Sequence, residues 1–349
     1  AIIPDTLKKF KDLGLEIMVE KGAGLEARFD DKSYQAEASL HEREELIKNA
    51  DILVSVLPPE DLDQIPAGKF IISQFQPYND TEIVERLTNL GIHAFSMDMI
   101  PRTTLAQSMD VLSSMASVAG YKAVLEAGRI LPRYMPMMIT AAGSIKPSRV
   151  LVLGAGVAGL QAIATARRLG AMVEAFDTRS AAKEEVLSLG AKFVEVEGAK
   201  DDKDAGGYAV EQSEEYLKKQ RAEVQARAIK ADIIITTAQV RGRKAPILVP
   251  TSTVEQMKNG SVIIDLASST GGNVELSKDN ELIEHNGVFI YGNSNLAALM
   301  PQDSSTLYSN NLYNFFKYFM KEGAFDWREN DEIIDGALIT PKDKIHSNG

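Results

Sequence analysis

The sequence predicts an α/β protein of two doubly wound domains, and three observations carry that expectation. Short apolar runs alternate with helical stretches along most of the chain, one run ends in a glycine-rich strand-to-helix turn, and a long proline-free segment divides the chain in two. Strands and helices in alternation imply a parallel sheet covered on both faces. With 349 residues, 44% of them hydrophobic, the chain can bury the core that two such domains need.

The chain starts as though inside a domain. Ala1-Ile2-Ile3-Pro4 leads at once into an amphipathic helix over 5–13, then Gly14 and a short strand over 15–19. An opening strand is expected to have been removed or to lie upstream. Apolar runs at 52–57, 70–73 and 93–95, separated by helical stretches such as 81–90, complete a first α/β domain. The proline-free segment 105–131 reads as a linking helix that Pro132 ends. Ser113, Ser114, Ala116, Ser117, Ala119 and Gly120 make it small-sided, which permits close packing in a cleft. Strands follow at 150–153, 171–177, 192–196, 232–236, 261–266 and 287–291, the spacing of a doubly wound sheet. The last helix, 309–320, is expected to return to the first domain, whose sheet otherwise lacks a closing helix. The expected division is 1–112 with 305–349 for the first domain and 113–304 for the second.

Gly154-Ala155-Gly156-Val157-Ala158-Gly159 lies between the apolar run Val150-Leu151-Val152-Leu153 and a helical run over 157–169. In that context GxGxxG is a nucleotide-binding turn. The first glycine allows a tight turn, the second lets the backbone approach a pyrophosphate, and the third lets helix and strand pack closely. The free N–H groups of the helix N-terminus, among them those of Val157 and Ala158, would meet the phosphates. The second domain is therefore read as Rossmann-like and as the seat of an NAD site. Asp177, 18 residues beyond Gly159, ends the next apolar run, beside Thr178. A carboxylate there accepts from ribose hydroxyls and repels a 2′-phosphate, so NAD(H) is favoured over NADP(H). Arg179 is expected as a solvated cation near the start of the next helix, with phosphate pairing the alternative.

Composition excludes several classes. The net charge of −11 and the lack of a long basic tract argue against nucleic acid as a partner. No apolar run approaches the roughly 20 residues of a membrane span, so the chain is expected to be soluble. The absence of cysteine removes disulfides, thiol nucleophiles and thiolate metal sites. His41, His93, His285 and His346 lack metal-ligand spacing and read as surface or packing residues, so no metal is expected. The polar stretch 197–207, with Gly206-Gly207 before Tyr208, reads as a surface loop or as a lid.

Four further segments carry a resemblance: Met99-Ile100-Pro101-Arg102-Thr103-Thr104-Leu105-Ala106-Gln107-Ser108-Met109-Asp110-Val111-Leu112-Ser113-Ser114, Ala119-Gly120-Tyr121, Met137-Met138-Ile139-Thr140-Ala141-Ala142-Gly143, and the glycine motif extended to Ala166. Together they resemble the NAD(H)-binding component, domain I of the alpha subunit, of proton-translocating nicotinamide nucleotide transhydrogenase, and its cousin alanine dehydrogenase. The resemblance spans nearly the whole chain. It implies a homodimer of two-domain protomers with the nicotinamide in the interdomain cleft. It implies hydride transfer between NAD(H) here and NADP(H) on a partner domain, coupled to proton translocation by a membrane-spanning domain. The chain would then sit at the membrane periphery, on the cytoplasmic face in bacteria or the matrix face in mitochondria, with little or no turnover alone. By residue match, Arg102, Gln107, Asp110 and Ser113 would form the nicotinamide-positioning loop, and Gly206, Gly207 and Tyr208 a loop that closes over bound nucleotide. Ala238 and Gln239, after the strand 232–236, complete the expected cofactor site.

Direct hydride transfer needs two nicotinamides close together, oriented and shielded from water, with no general acid or base. Arg102, Gln107 and Ser113 can donate to carboxamide or phosphate oxygens, while Asp110 can hold Arg102 or accept from the carboxamide. The plain alternative is a helix N-terminus with ordinary polar caps. An alanine dehydrogenase needs a carboxylate-binding lysine and a catalytic histidine in the first domain. The corresponding segments here, Val54-Ser55-Val56-Leu57-Pro58-Pro59 and Ile71-Ile72-Ser73-Gln74-Phe75-Gln76-Pro77, contain neither. A non-catalytic NAD(H) sensor is a further alternative. The chain departs from the family pattern after Ala238, where Gln239-Val240-Arg241-Gly242-Arg243-Lys244 stands in place of an apolar residue and a Pro-Gly turn. That segment is expected to be a solvated loop rather than part of a partner interface.

Overall fold

A computed structural model describes residues 1–196, 214–239, 242–328 and 330–341. The candidate lid over 197–207, Tyr208, Val240, Arg241 and His346 lie outside the described residues. The chain divides into two compact units, Ala1–Met115 with Met300–Gly349, and Ala116–Leu299.

In the first unit the strands are short and parallel. β1 (Met18–Glu20) pairs with β2 (Ser39–His41), and β3 (Ile52–Val54), β4 (Phe70–Ser73) and β5 (His93–Ser96) form a second sheet. Every residue of β5 is buried, and the segment accordingly reads as an unbroken run rather than an alternation. The helix Pro4–Lys11 buries Thr6, Leu7 and Phe10, and Phe10 meets Phe316 edge to face at 5.4 Å. Phe316 belongs to the helix Pro301–Phe319, which starts eight residues before the expected 309 because Pro301 sits in its first turn, where a missing N–H costs nothing. Phe95, Phe319, Phe325 and Trp327, the chain's one tryptophan, form an aromatic cluster, with Trp327 against the Phe319 ring at 4.9 Å. His93 packs beside Phe70 with ring centroids 5.0 Å apart, a packing role.

The second unit opens with an antiparallel hairpin, β6 (Met138–Thr140) and β7 (Gly143–Ile145). Then come β8 (Arg149–Leu153), β9 (Met172–Phe176), β10 (Lys192–Phe193), β11 (Ile233–Thr236), β12 (Val262–Asp265), β13 (Glu281–His285) and β14 (Val288–Gly292). Among the described residues these seven form one sheet in the order β10-β9-β8-β11-β12-β14-β13, parallel except for the edge strand β13. Counting the parallel strands alone, the order is 3-2-1-4-5-6, that of a doubly wound dinucleotide fold, with its reversal between β8 and β11. The central strands are fully buried because both faces are covered: Ala162, Ile163 and Ala166 of the helix Val157–Arg168 lie in one core cluster with Val150, Val152, Ile233 and Ile235. The small residues of the helix Val111–Ile130 serve packing, since a Cβ on Gly120 would fall 2.1 Å from the Ala158 carbonyl oxygen.

Candidate functional site

The two glycines at the ends of the motif are demanded by the protein itself, and the middle one is not. Gly154 has φ +101°, and a Cβ there would meet Thr237 Oγ1 at 2.5 Å. A Cβ on Gly159 would fall 1.8 Å from the Gly154 carbonyl oxygen. Gly156, the residue preceding the helix Val157–Arg168, has an ordinary φ of −77°, and a Cβ built on it meets nothing within 4 Å. The space a side chain would take there belongs to no protein atom, which fits a diphosphate lying against the backbone. The turn is held by Gly154 N–H donating to the Phe176 carbonyl at 2.8 Å, and by Thr237 Oγ1 donating to the Gly154 carbonyl at 3.1 Å. These contacts tie together the carboxyl ends of β8, β9 and β11 at the reversal of strand order, where ligands of such sheets bind.

Asp177 stands at the end of β9 with its side chain only 8% exposed. Its Oδ2 accepts from Ala155 N–H at 2.7 Å and from Arg179 Nη2 at 3.0 Å. Oδ1 accepts from Arg179 N–H at 2.8 Å and from Arg179 Nε at 3.0 Å. Arg179 is therefore not the solvated cation expected from sequence. Its guanidinium folds back in a fork on the carboxylate, the planar geometry it matches best. Burial pushes the Asp177 carboxyl up, but the hydrogen bonds from the Arg179 side chain, the Arg179 N–H and the Ala155 N–H outweigh it and hold the group below the usual carboxylate range. Thr178 lies between the pair.

Ala238 and Gln239 follow β11 and are fixed by residues that sequence reading missed. Asn273 Oδ1 accepts from Ala238 N–H at 2.9 Å, while its Nδ2 donates to the Ala238 carbonyl at 2.8 Å. Asn273 is held in turn by the fully buried Asp265, whose Oδ2 accepts from Asn273 N–H at 3.0 Å and whose Oδ1 accepts from Thr236 Oγ1 at 2.9 Å. Gln239 Nε2 donates to the Leu266 carbonyl at 2.8 Å. An acid ending the apolar run 261–266 just before Gly271-Gly272-Asn273 was the available signal. Gly207 and Tyr208, also expected here, lie outside the described residues.

In the first unit the structure brings Arg102, Asp110 and Ser113 together. Asp110 caps the helix Val111–Ile130: its Oδ1 accepts from Ser113 N–H at 2.9 Å and its Oδ2 from Ser113 Oγ at 2.6 Å. Arg102 Nε stands 3.9 Å from Asp110 Oδ2, with the Arg102 side chain 73% exposed. The capping alternative thus describes Asp110, and the same cap aims its carboxylate toward the Arg102 guanidinium. Gln107 is exposed on the short 3-10 turn Gln107–Met109. That turn is gripped from the helix Pro301–Phe319, where Asn311 Nδ2 and Asn314 Nδ2 both donate to the Ser108 carbonyl, at 2.9 and 3.1 Å. Among the described residues no group of His, Asp and Glu side chains could hold a metal, and no helix is long and apolar enough to cross a membrane.

A doubly wound sheet with a glycine turn at its reversal and an acid at the next strand end defines a dinucleotide-type α/β protein, and comparison with known proteins narrows the class. Residues 1–119 match the N-terminal domain model of alanine dehydrogenase/PNT, and residues 123–348 match the C-terminal domain model of the same family. The chain belongs to the alanine dehydrogenase/PNT family. It is 43% identical to an NAD(P) transhydrogenase subunit alpha chain of Rickettsia prowazekii, over 99% of this chain and 92% of that one. Identity to the chain of the same description from Rhodospirillum rubrum is 41%, over 97% of this chain and 92% of that one. The crystal structure of transhydrogenase from Sinorhizobium meliloti superposes with a TM-score of 0.89 at 41% identity, covering 97% of this chain and 93% of that one. An L-alanine dehydrogenase structure shares the fold, with a TM-score of 0.77 at 24% identity over 97% of this chain and 90% of that one.

Proposed function

We propose that the chain is the NAD(H)-binding component of a proton-translocating transhydrogenase. It would exchange hydride with NADP(H) held on a partner domain, while a membrane domain couples that exchange to proton movement. The observation that carries the dinucleotide assignment is the open space at Gly156 beside two glycines that the protein itself requires. When bound, NAD(H) supplies a hydride donor or acceptor at its nicotinamide ring. The chain's own residues bind and orient. The N–H groups of Gly156, Val157 and Ala158 would receive the diphosphate, Asp177 the adenosine ribose, and the Ala238-Gln239 segment would line the site. Arg102, Gln107, Asp110 and Ser113 would hold the carboxamide end, with Asp110 fixed by its cap.

A donor and acceptor that both carry hydride need no proton relay in the chain, and the described groups around Arg102 are suited to positioning. The named relatives at 41–43% identity support the transhydrogenase reading. The missing lysine and histidine at 54–59 and 71–77 weigh against an amino-acid substrate. We further propose a homodimer and a seat at the membrane periphery. The hairpin β6–β7 exposes Met137, Ile139 and Ile145 at 60%, 75% and 42%, an apolar surface suited to a second copy.

The test is cyclic transhydrogenation. The chain is mixed with a purified NADP(H)-binding component, NADPH and NADH, and reduction of an NAD analogue of distinct absorbance is followed. Turnover that requires both proteins and collapses in Arg102→Ala supports the proposal. Confirmed NADH binding and docking without turnover would return the chain to the sensor reading.

A further inference from the structure

We propose that the Arg179 guanidinium occupies the seat of a ribose diol on Asp177, so that a dinucleotide enters by displacing it, and that this exchange sets both affinity and the choice between NAD(H) and NADP(H). The proposal rests on the dinucleotide reading above. A carboxylate offers about four acceptor positions. All four are taken here: two by the backbone N–H groups of Ala155 and Arg179, and two by the Nε and Nη2 of the Arg179 side chain. A ribose presents two hydroxyl donors and therefore needs two of those positions.

The backbone pair cannot yield them. Ala155 N–H belongs to the glycine turn, whose geometry is set by Gly154 and Gly159, and Arg179 N–H belongs to the turn that follows β9. The guanidinium can yield them, because it is carried on a rotatable side chain that is 42% exposed and has solvent to move into. Two side-chain donors leave as two hydroxyl donors arrive, and the number of hydrogen bonds on Asp177 is conserved.

Displacement leaves a cation two residues from the carboxylate, on the same turn. A 2′-phosphate that Asp177 alone repels would then meet a compensating positive charge. Arg179 is thus a brake on NAD(H) binding and a moderator of discrimination against NADP(H).

The experiment titrates the full chain with NADH and with NADPH, following nucleotide fluorescence, for wild type, Arg179→Ala and Arg179→Gln. Removing a part-exposed ion-pair partner is expected to tighten NADH binding by about fivefold, the scale of such a pair. NADPH binding should tighten less or weaken, so that preference for NADH widens in both variants. NADH affinity that is unchanged or weaker in both variants, with wild type binding normally, overturns the exchange and leaves the dinucleotide site standing. A wild-type chain that fails to bind NADH overturns the site itself and the exchange with it.

Discussion

The carbonyl oxygen of Gly154 stands where a side chain on Gly159 would begin, 1.8 Å from the Cβ position, so the turn and the helix after it touch backbone to backbone. Gly159→Ala must push the helix Val157–Arg168 off β8 or distort the turn. A loss of about 1–3 kcal/mol is expected, read from urea unfolding. Gly156→Ala has open space and an allowed φ, so its stability should stay within about 1 kcal/mol of wild type. NADH affinity should nonetheless fall at least about tenfold, because the methyl takes the space proposed for the diphosphate. Equal effects of the two changes on stability and on binding would remove the distinction between a packing glycine and a ligand glycine.

Asp110 serves the helix and, we propose, the reaction, and the two roles separate by substitution. Asp110→Ala loses the cap and should destabilise by about 1 kcal/mol. Asp110→Asn keeps an acceptor for Ser113 N–H and should unfold close to wild type, yet its transhydrogenation with the partner should drop sharply because Arg102 loses its counter-charge. Retention of full turnover in Asp110→Asn would leave Asp110 as a cap alone.

Asn311 offers a test of positioning at a distance from any ligand. Its Nδ2 grips the Ser108 carbonyl while its Oδ1 is buried without a partner. Asn311→Leu therefore removes one hydrogen bond and one orphaned acceptor together, and stability should change by no more than about 1 kcal/mol. Loosening of the Gln107–Met109 turn should appear as a lower turnover number with the NADH dissociation constant unchanged. A parallel loss of stability and turnover would make the residue structural.

The pH dependence of Asp177 has a definite sign. Its folded pKa lies below its unfolded value, so it contributes stability that is present above the unfolded value, about 3.9, and is lost as pH falls through the folded one. Asp177→Asn should therefore be less stable than wild type at neutral pH, with the difference shrinking below about pH 4. Unfolding curves of the two proteins across that range provide the check. A difference that persists unchanged into strong acid would mean the carboxylate charge contributes nothing.

Proposed dimerisation through the hairpin predicts that Ile139→Asp yields monomers in sedimentation or light scattering while NADH binding persists. Unchanged association would move the contact elsewhere.

The central sheet of the second unit was legible because doubly covered strands such as Ile233–Thr236 and Val262–Asp265 must be apolar throughout. The edges were less so. The run 192–196 pairs only over Lys192–Phe193, and the polar strand Glu281–His285 gave no apolar signal because one of its sides has no neighbour. The hairpin Met138–Ile145 was missed because its apolar residues are exposed, which breaks the link between hydrophobicity and burial on which such reading depends. At the site, the glycine turn was readable because its constraints are local and steric. Asn273 beneath Ala238 was not, since 35 residues separate the partners and the fold alone brings them together. The Arg179–Asp177 fork depended on a choice of side-chain rotamer that composition cannot express.

Trp327 sits among Phe95, Phe319 and Phe325 in the first unit, and the glycine turn belongs to the second. Each unit can therefore carry its own optical reporter. Indole emission follows the environment of the first unit alone, while the fluorescence of added NADH would follow the second. A denaturant titration read in both channels would reveal whether the units melt as one cooperative block or in sequence, without a label being attached.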